Sequence, residues 1–307
     1  MTMISQSVMR VEAGSQILRQ ALLSGVQRLS CAGIDTARLD AEVMLRHVLN
    51  MTGEQLVSMS DIPLTGEQTQ GYEATLRRRL EREPVAYITG QQEFWSVDFH
   101  VTRDVLIPRP ETERLVEITL TVAAGMLHAA PMRIFDIGTG SGAVAISLAK
   151  ELASAELWAT DVSTAAVAIA RGNAARNGVS EKIKFLCGDL FAPIDAEAGK
   201  FALIVANPPY IRSGEIAGLA PEVSHWEPRL ALDGGTDGLD FYHRIAARAW
   251  THLVPNGAVT LEIGADMGDV VARIFDDTGR YANAMVSKDY AGRDRVVVAQ
   301  KLRQIAD

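Results

Sequence analysis

Cysteine is scarce in this chain. Cys31 and Cys187 are the only two among 307 residues, too few for a disulfide framework, and neither stands at metal-ligand spacing from the six histidines. They read as reduced structural cysteines, and no metal is expected. No apolar run is long enough to span a bilayer. Positive charge is also short: Lys+Arg 30 against Asp+Glu 38 gives a net charge of −8, without the broad basic footprint of a protein that binds bare DNA or RNA. That balance suits a partner whose own surface is basic. The opening Met1-Thr-Met-Ile-Ser-Gln6 lacks the charged-then-apolar layout of a secretory signal. The expectation is a cytoplasmic, monomeric protein with no membrane and no direct nucleic-acid partner. Internal repeats and low-complexity tracts are absent too.

What is there is an ordinary globular composition, 48% hydrophobic and 6% aromatic, long enough for a small domain and a larger one. Phe201-Ala-Leu-Ile-Val-Ala206 is short, apolar and partly β-branched, so it predicts a buried parallel strand. Asn207-Pro-Pro-Tyr210 follows. Two prolines cannot continue a sheet ladder, so the chain leaves the sheet there in a rigid, extended turn. In open α/β sheets, ligands bind just past the carboxyl ends of strands. The Asn207 amide and the Pro208 carbonyl are then two acceptors on a stiff turn, suited to gripping a planar –NH2 group by both hydrogens. The plainer reading is a turn with a packed tyrosine.

Upstream, Arg133-Ile-Phe-Asp-Ile-Gly138-Thr-Gly-Ser-Gly142 and the apolar Ala143–Ala149 run predict a strand, a glycine-rich turn and a helix. Gly138 and Gly140 permit positive φ and close backbone approach. With Thr139, Ser141 and Gly142 they would cradle a polar ligand at the helix start. A strand over Glu156–Thr160 ends at Asp161, about twenty residues on, as expected for a carboxylate gripping a ribose diol. This much fits NAD, FAD or S-adenosylmethionine alike. A third strand, Lys182–Cys187, leads to Asp189 and Leu190. Asp189 could accept from the exocyclic amine of an adenine while Leu190 packs on its ring, or it could cap a turn. A glycine turn, two acids and an amide along one sheet edge suggest an adenosyl donor facing an amine or amide acceptor.

The organisation falls into three parts. Residues 1–83 read as a helical bundle, with Ile17, Leu18, Ala21, Leu22, Val26 and Leu29, then Leu39, Val43, Leu45, Val48 and Leu49, at helical spacing. Thr65 and Gln68 suggest a capping box, and Arg77-Arg-Arg79 is expected to complement the helix dipole and stay solvated. Residues 84–108 form a β-hairpin linker, read from the partial alternation of Glu93–Val101. The third part, 109–307, opens on Pro110-Glu-Thr-Glu113, a helix-start signal. Gly257–Ile263 and Arg295–Ala299 are expected to close the sheet as antiparallel strands.

Gly138-Thr-Gly-Ser-Gly142 with Asn207-Pro-Pro-Tyr210 resembles the class I S-adenosylmethionine-dependent methyltransferases that modify planar nitrogens. The finer resemblance is to the protein glutamine methyltransferases that act on peptide chain release factors. It rests on Pro84-Val-Ala-Tyr-Ile-Thr-Gly90, Glu93-Phe-Trp95, Val105-Leu-Ile-Pro-Arg-Pro-Glu-Thr-Glu113, Glu227-Pro-Arg-Leu-Ala-Leu-Asp-Gly-Gly235, Asp237-Gly-Leu-Asp-Phe-Tyr242, Glu262-Ile-Gly264 and Asp289-Tyr-Ala-Gly-Arg-Asp-Arg295. Met267 departs from it, since the family often has glutamine there.

The resemblance implies an α/β fold, a class I methyltransferase Rossmann-like sheet with an N-terminal helical bundle domain and a β-hairpin linker. It implies S-adenosyl-L-methionine as cofactor, release factors as partners, and a role in translation termination through the glutamine of their Gly-Gly-Gln loop. Catalysis would fall to Asn207, Pro208 and Tyr210, with Asn207, Pro208, Pro209 and Tyr210 holding the glutamine. The donor would lie on Gly138, Thr139, Gly140, Ser141, Gly142, Asp161, Asp189, Leu190 and Asn207. The helical domain would engage the factor. The alternatives are a ribosomal-protein glutamine methyltransferase, which typically lacks the Pro-Glu-Thr-Glu run, and an RNA or DNA exocyclic-amine methyltransferase.

Overall fold

The computed structural model describes residues 16–126, 131–194 and 200–303; the opening Met1–Gln6 lies outside them. The chain divides into two compact units, residues 1–89 and 90–307.

The first unit is helical: α1 (Leu18–Cys31), α2 (Ala37–Leu49), α3 (Gly53–Ser58), α4 (Gly66–Leu80) and α5 (Val85–Thr89). Leu18, Ala21 and Leu29 of α1 meet Met44 and Leu45 of α2 and Tyr72 and Leu76 of α4 in one apolar core. The expected capping box forms at α4, where Thr65 Oγ1 accepts from the Gln68 amide and Gln68 Oε1 accepts from the Thr65 amide. A second, over Thr52 and Gln55, starts α3. Two expectations need correction. Leu39 is 61% exposed, because Asp40 and Ala41 take the inward face of α2. The arginine run is solvated only in part: Arg77 and Arg78 are exposed in the last turn of α4, and Arg79 is not. Arg78 forks onto both carboxylate oxygens of buried Glu83 at 2.7 Å, and Arg79 is buried against Asp40, Nε to Oδ2 at 2.7 Å.

The second unit opens with an antiparallel hairpin, β1 (Gln91–Phe94) and β2 (Val97–His100), turning at Trp95 and Ser96, both with positive φ. Next come α6 (Glu113–Ala124), β3 (Arg133–Ile137), α7 (Ala143–Glu151), β4 (Glu156–Asp161), α8 (Thr164–Arg176), β5 (Ile183–Cys187) and β6 (Phe201–Ala206). They are followed by α9 (Pro221–Ser224), α10 (Asp240–His252), β7 (Leu253–Glu262), α11 (Gly268–Asp276), β8 (Met285–Lys288) and β9 (Asp294–Gln300). Strands β3 to β9 form a seven-stranded sheet in the order β5-β4-β3-β6-β7-β9-β8. All six residues of β6 are buried, as a central parallel strand covered on both faces requires. The sheet is mixed, and one expectation is corrected. β7 runs parallel to β6 and starts at Leu253, and β9 alone runs antiparallel to its neighbours β7 and β8.

Glu113 serves the structure, since its Oε1 accepts from the Trp95 amide at 2.8 Å and ties the hairpin turn to the start of α6. A second tie is Asn173 of α8, fully buried. Its Oδ1 accepts from the His100 amide at 2.8 Å, and its Nδ2 donates to the His100 and Ser141 carbonyls at 2.9 and 2.8 Å. Hairpin, helix and glycine turn therefore meet on one side chain. Asn173→Ala strands buried backbone groups and is expected to cost about 3 kcal/mol of stability. Denaturant titration checks this, and an unchanged midpoint would mean that water replaces the amide.

Cys31 and Cys187 are unpaired and exposed, so neither serves packing as a structural cysteine. Among the described residues no helix is long and apolar enough to cross a membrane, and no His, Cys, Asp and Glu cluster could hold a metal ion.

Candidate active site

β3 lies between β4 and β6, although the chain builds β4 and β5 before it returns to β6 on the other side. That reversal opens a crevice at the carboxyl ends of β3 and β6. A cavity of about 250 Å3 lies there, lined by Gly138, Gly140, Asp161, Asp189, Leu190 and the Asn207-Pro-Pro209 turn. A smaller one of about 60 Å3 adjoins it, lined by Thr112, Asp136, Gly138, Thr139, Gly140, Ser141 and Asn207. Most of the residues singled out from sequence thus converge. Gly142 and Tyr210 line neither cavity. Gly142 lies where α7 meets α8: a Cβ there would come within 2.9 Å of Ile146 Cδ1 and 3.3 Å of Ala170 Cβ. Tyr210 packs against the core, its hydroxyl 3.5 Å from Glu262 Oε1.

Asp161 accepts twice from backbone, Oδ2 from Gly140 N and Oδ1 from Ser163 N, both at 2.9 Å. It therefore shapes the glycine turn as well as facing the cavity. Burial pushes its carboxyl above the usual range, and the Ser163, Gly140 and Val162 amides pull it back. Asp189 forms an ion pair with Arg244 of α10 at the cavity wall.

Asp136, Thr112 and Arg109 also line the smaller cavity, and Glu262 lies outside it beside Tyr210. Asp136 is fully buried, its Oδ2 without a partner in the protein. Desolvation lifts its carboxyl to about 7, helped by the charge of Asp161 and opposed by Thr139 and the Ala145 amide. Thr112 stands beneath Asn207: its Oγ1 accepts from Asn207 Nδ2 at 3.1 Å. The amide's nitrogen is thereby used inward and its oxygen left outward. Glu262, at the end of β7, is buried, and desolvation raises it to about 7, against the pull of Thr112 and Arg295. Tyr210 beside it is pushed up to about 12, by burial first and then by the Glu262 charge. Arg109 closes the rim by pairing with buried Glu227 at 2.6 Å. Asp136 and Glu262 were legible as lone acids inside apolar strands; Thr112 gave no signal beyond its place in Pro-Glu-Thr-Glu.

The turn is backed by Asp233-Gly-Gly235. Ile211 N donates to Leu232 O at 3.0 Å, and Gly234 N to Ile211 O at 2.9 Å. A Cβ on Gly234 would lie 2.8 Å from Pro209 O, and one on Gly238 would lie 2.5 Å from Tyr210 O. Both glycines are close-approach positions against the Asn-Pro-Pro-Tyr turn. Met267 fills the space beneath, since the same Gly238 Cβ would meet its Cε at 2.9 Å.

The sheet order and the glycine turn define a class I methyltransferase, and residues 119–221 match the Methyltransferase small domain family. Residues 20–90 match the PrmC N-terminal domain family. The release factor glutamine methyltransferase of Cereibacter sphaeroides is 43% identical over 91% of this chain and 97% of that protein. That of Moorella thermoacetica is 42% identical over 92% and 98%. The chain belongs to the release factor glutamine methyltransferase family. Among solved structures, the hMettl16 catalytic domain in complex with a MAT2A 3′UTR hairpin shares the fold at a TM-score of 0.54 and 15% identity. The match covers 70% of this chain and 79% of that one.

Proposed function

We propose that this protein methylates the side-chain amide nitrogen of the glutamine in the Gly-Gly-Gln motif of peptide chain release factors, with S-adenosyl-L-methionine as donor. The observation that carries this reading is the orientation of Asn207. With Nδ2 given to Thr112, Oδ1 is left to the cavity beside the Pro208 carbonyl, and among the described residues no protein donor engages either oxygen. An amide nitrogen is a poor nucleophile because its lone pair is delocalised into the carbonyl. Accepting both of its N–H bonds aims the lone pair and favours a pyramidal nitrogen in the transition state, so no strong general base is needed.

The residues present fit the donor. Gly138 and Gly140 let the backbone approach it, Asp161 takes the ribose hydroxyls, and Asp189 with Leu190 takes the adenine once Arg244 yields. The orphaned Asp136 Oδ2 suits an ammonium group at the methionine end. When bound, S-adenosyl-L-methionine supplies an electrophilic methyl on a positively charged sulfur. Asp161→Ala is expected to weaken donor affinity about a hundredfold, and unchanged affinity by calorimetry would remove Asp161 from that role. In this reading the helical unit engages the factor, and Leu23, Leu39 and Val57 stand 58%, 61% and 78% exposed on it.

The test is methyl transfer from labelled donor to a purified release factor and to the same factor with its Gly-Gly-Gln glutamine replaced. Label on the first alone is the expected result. Label on neither, but on ribosomal protein or RNA, keeps the methyltransferase and overturns the substrate.

A further inference from the structure

The smaller cavity is walled by polar groups that the protein itself does not satisfy. Asp136 Oδ2 and Thr139 Oγ1 are buried in its lining, and neither has a hydrogen-bond partner among the described residues. A buried polar atom left unpaired is costly, so two in one wall mark a place for a ligand. Of the described residues that line this cavity, Asp136 is the one acid and Arg109 the one cation. One charge of each sign around about 60 Å3 complements a zwitterion, a compact group with an ammonium and a carboxylate. Arg109 is held ready for the second of these. Pro108 and Pro110 flank it, and a residue before proline is confined to extended backbone, here φ −103° and ψ 144°. Its Nη2 donates to buried Glu227 Oε1 at 2.6 Å. That pair is single, not forked: Glu227 Oε2 makes no bond, and Arg109 Nε and Nη1 have no partner among the described residues.

We propose that Arg109 binds the α-carboxylate of S-adenosyl-L-methionine, and that the smaller cavity takes the donor's amino-acid end as a zwitterion, with Asp136 on the ammonium. This rests on the reading of the donor given above. The division of the two cavities supports it. Asp161, Asp189 and Leu190 line only the larger one, and Asp136, Thr139 and Arg109 only the smaller. An adenosyl group in the first therefore leaves the methionine end to the second. Asn207 lines both, so the acceptor turn stands at their junction, where the sulfur that joins the two arms of the donor belongs. A guanidinium edge offers a carboxylate two parallel N–H groups for its two oxygens, the strongest common grip on that group. Ala143 and Val144, at the start of α7, complete the lining and add the end of the helix dipole that favours a negative charge. Thr139, a hydroxyl, serves either end of the zwitterion. Glu227 positions the guanidinium by holding Nη2 from behind.

The test is calorimetry on the full chain with S-adenosyl-L-methionine, its decarboxylated form, and 5′-methylthioadenosine, which lacks the amino-acid end altogether. Removing the carboxylate should weaken wild-type binding by about ten- to a hundredfold. Arg109→Gln should weaken S-adenosyl-L-methionine by a similar factor and leave the Kd of the other two ligands within about twofold, because residue and carboxylate are lost as one interaction. Asp136→Asn should instead weaken both ligands that carry the ammonium and spare 5′-methylthioadenosine. Equal losses for all three ligands in Arg109→Gln would make its role structural and overturn the proposal. An unchanged donor Kd with a raised KM for the release factor would give Arg109 to the acceptor and overturn it too. If Arg109→Gln does not fold, the wild type decides: equal Kd for the donor and its decarboxylated form overturns the proposal. Failure of the wild type to bind any of the three would instead sink the underlying reading of the donor site.

Discussion

Asn207→Ala is expected to fold, to bind the methyl donor with near-normal affinity, and to lose turnover by roughly a hundredfold, about 3 kcal/mol of barrier. The folding part follows from the surroundings of the residue. Asn207 is half-buried at the end of β6, and its side chain makes one hydrogen bond, to Thr112. The turn itself is held from behind by the Ile211 and Gly234 backbone bonds, which the substitution does not touch. The rate part follows from preorganisation. One of the two acceptors for the amide hydrogens disappears, so the nitrogen keeps more of its conjugation and is aimed less well. Single-turnover methyl transfer, with donor affinity measured in parallel, separates the two parts. Near-normal turnover would end the assignment of this turn to chemistry.

Breaking the Arg79–Asp40 pair should have the largest effect on stability. The side chains are 6% and 9% exposed, and Nε lies 2.7 Å from Oδ2. Asp40→Ala leaves a guanidinium buried without its carboxylate, which costs about 3 to 5 kcal/mol. Denaturant unfolding of the full chain should show this as an early loss of the helical unit. The double change Asp40→Leu with Arg79→Met should recover much of it, since a well-packed apolar pair often matches or exceeds a buried ion pair. A loss below about 1 kcal/mol in Asp40→Ala would mean that water reaches the guanidinium.

The same pair shows where the sequence stops being legible. Three arginines in a row at a helix end look alike, and helical period does not tell which one faces inward when Asp40, from another helix, decides it. Leu39 misleads for the same reason: the apolar residue lies outward because its charged neighbour has a partner inside. Local signals are more reliable. The Thr65–Gln68 box, the strand over Phe201–Ala206 and the glycine turn each depend on a few adjacent residues, and each forms. The direction of β7 depends on pairing with distant strands, and no local pattern along Gly257–Ile263 reveals it. The cavity shows a similar division. Residues at strand ends could be read because topology brings strand ends together, whereas Thr112 reaches Asn207 from 95 positions away in the chain.

Asn173 has a thermodynamic consequence. A two-stranded hairpin has little stability of its own in water, and β1–β2 is tied to α8 through an amide that also bonds to the Ser141 carbonyl. Peeling the hairpin away breaks the two bonds to His100 and loosening the glycine turn breaks the one to Ser141, so both events draw on a single side chain. Anything that makes the turn harder to disturb makes the hairpin harder to open by the same free energy, and the reverse holds equally. The two segments are linked without either having to move.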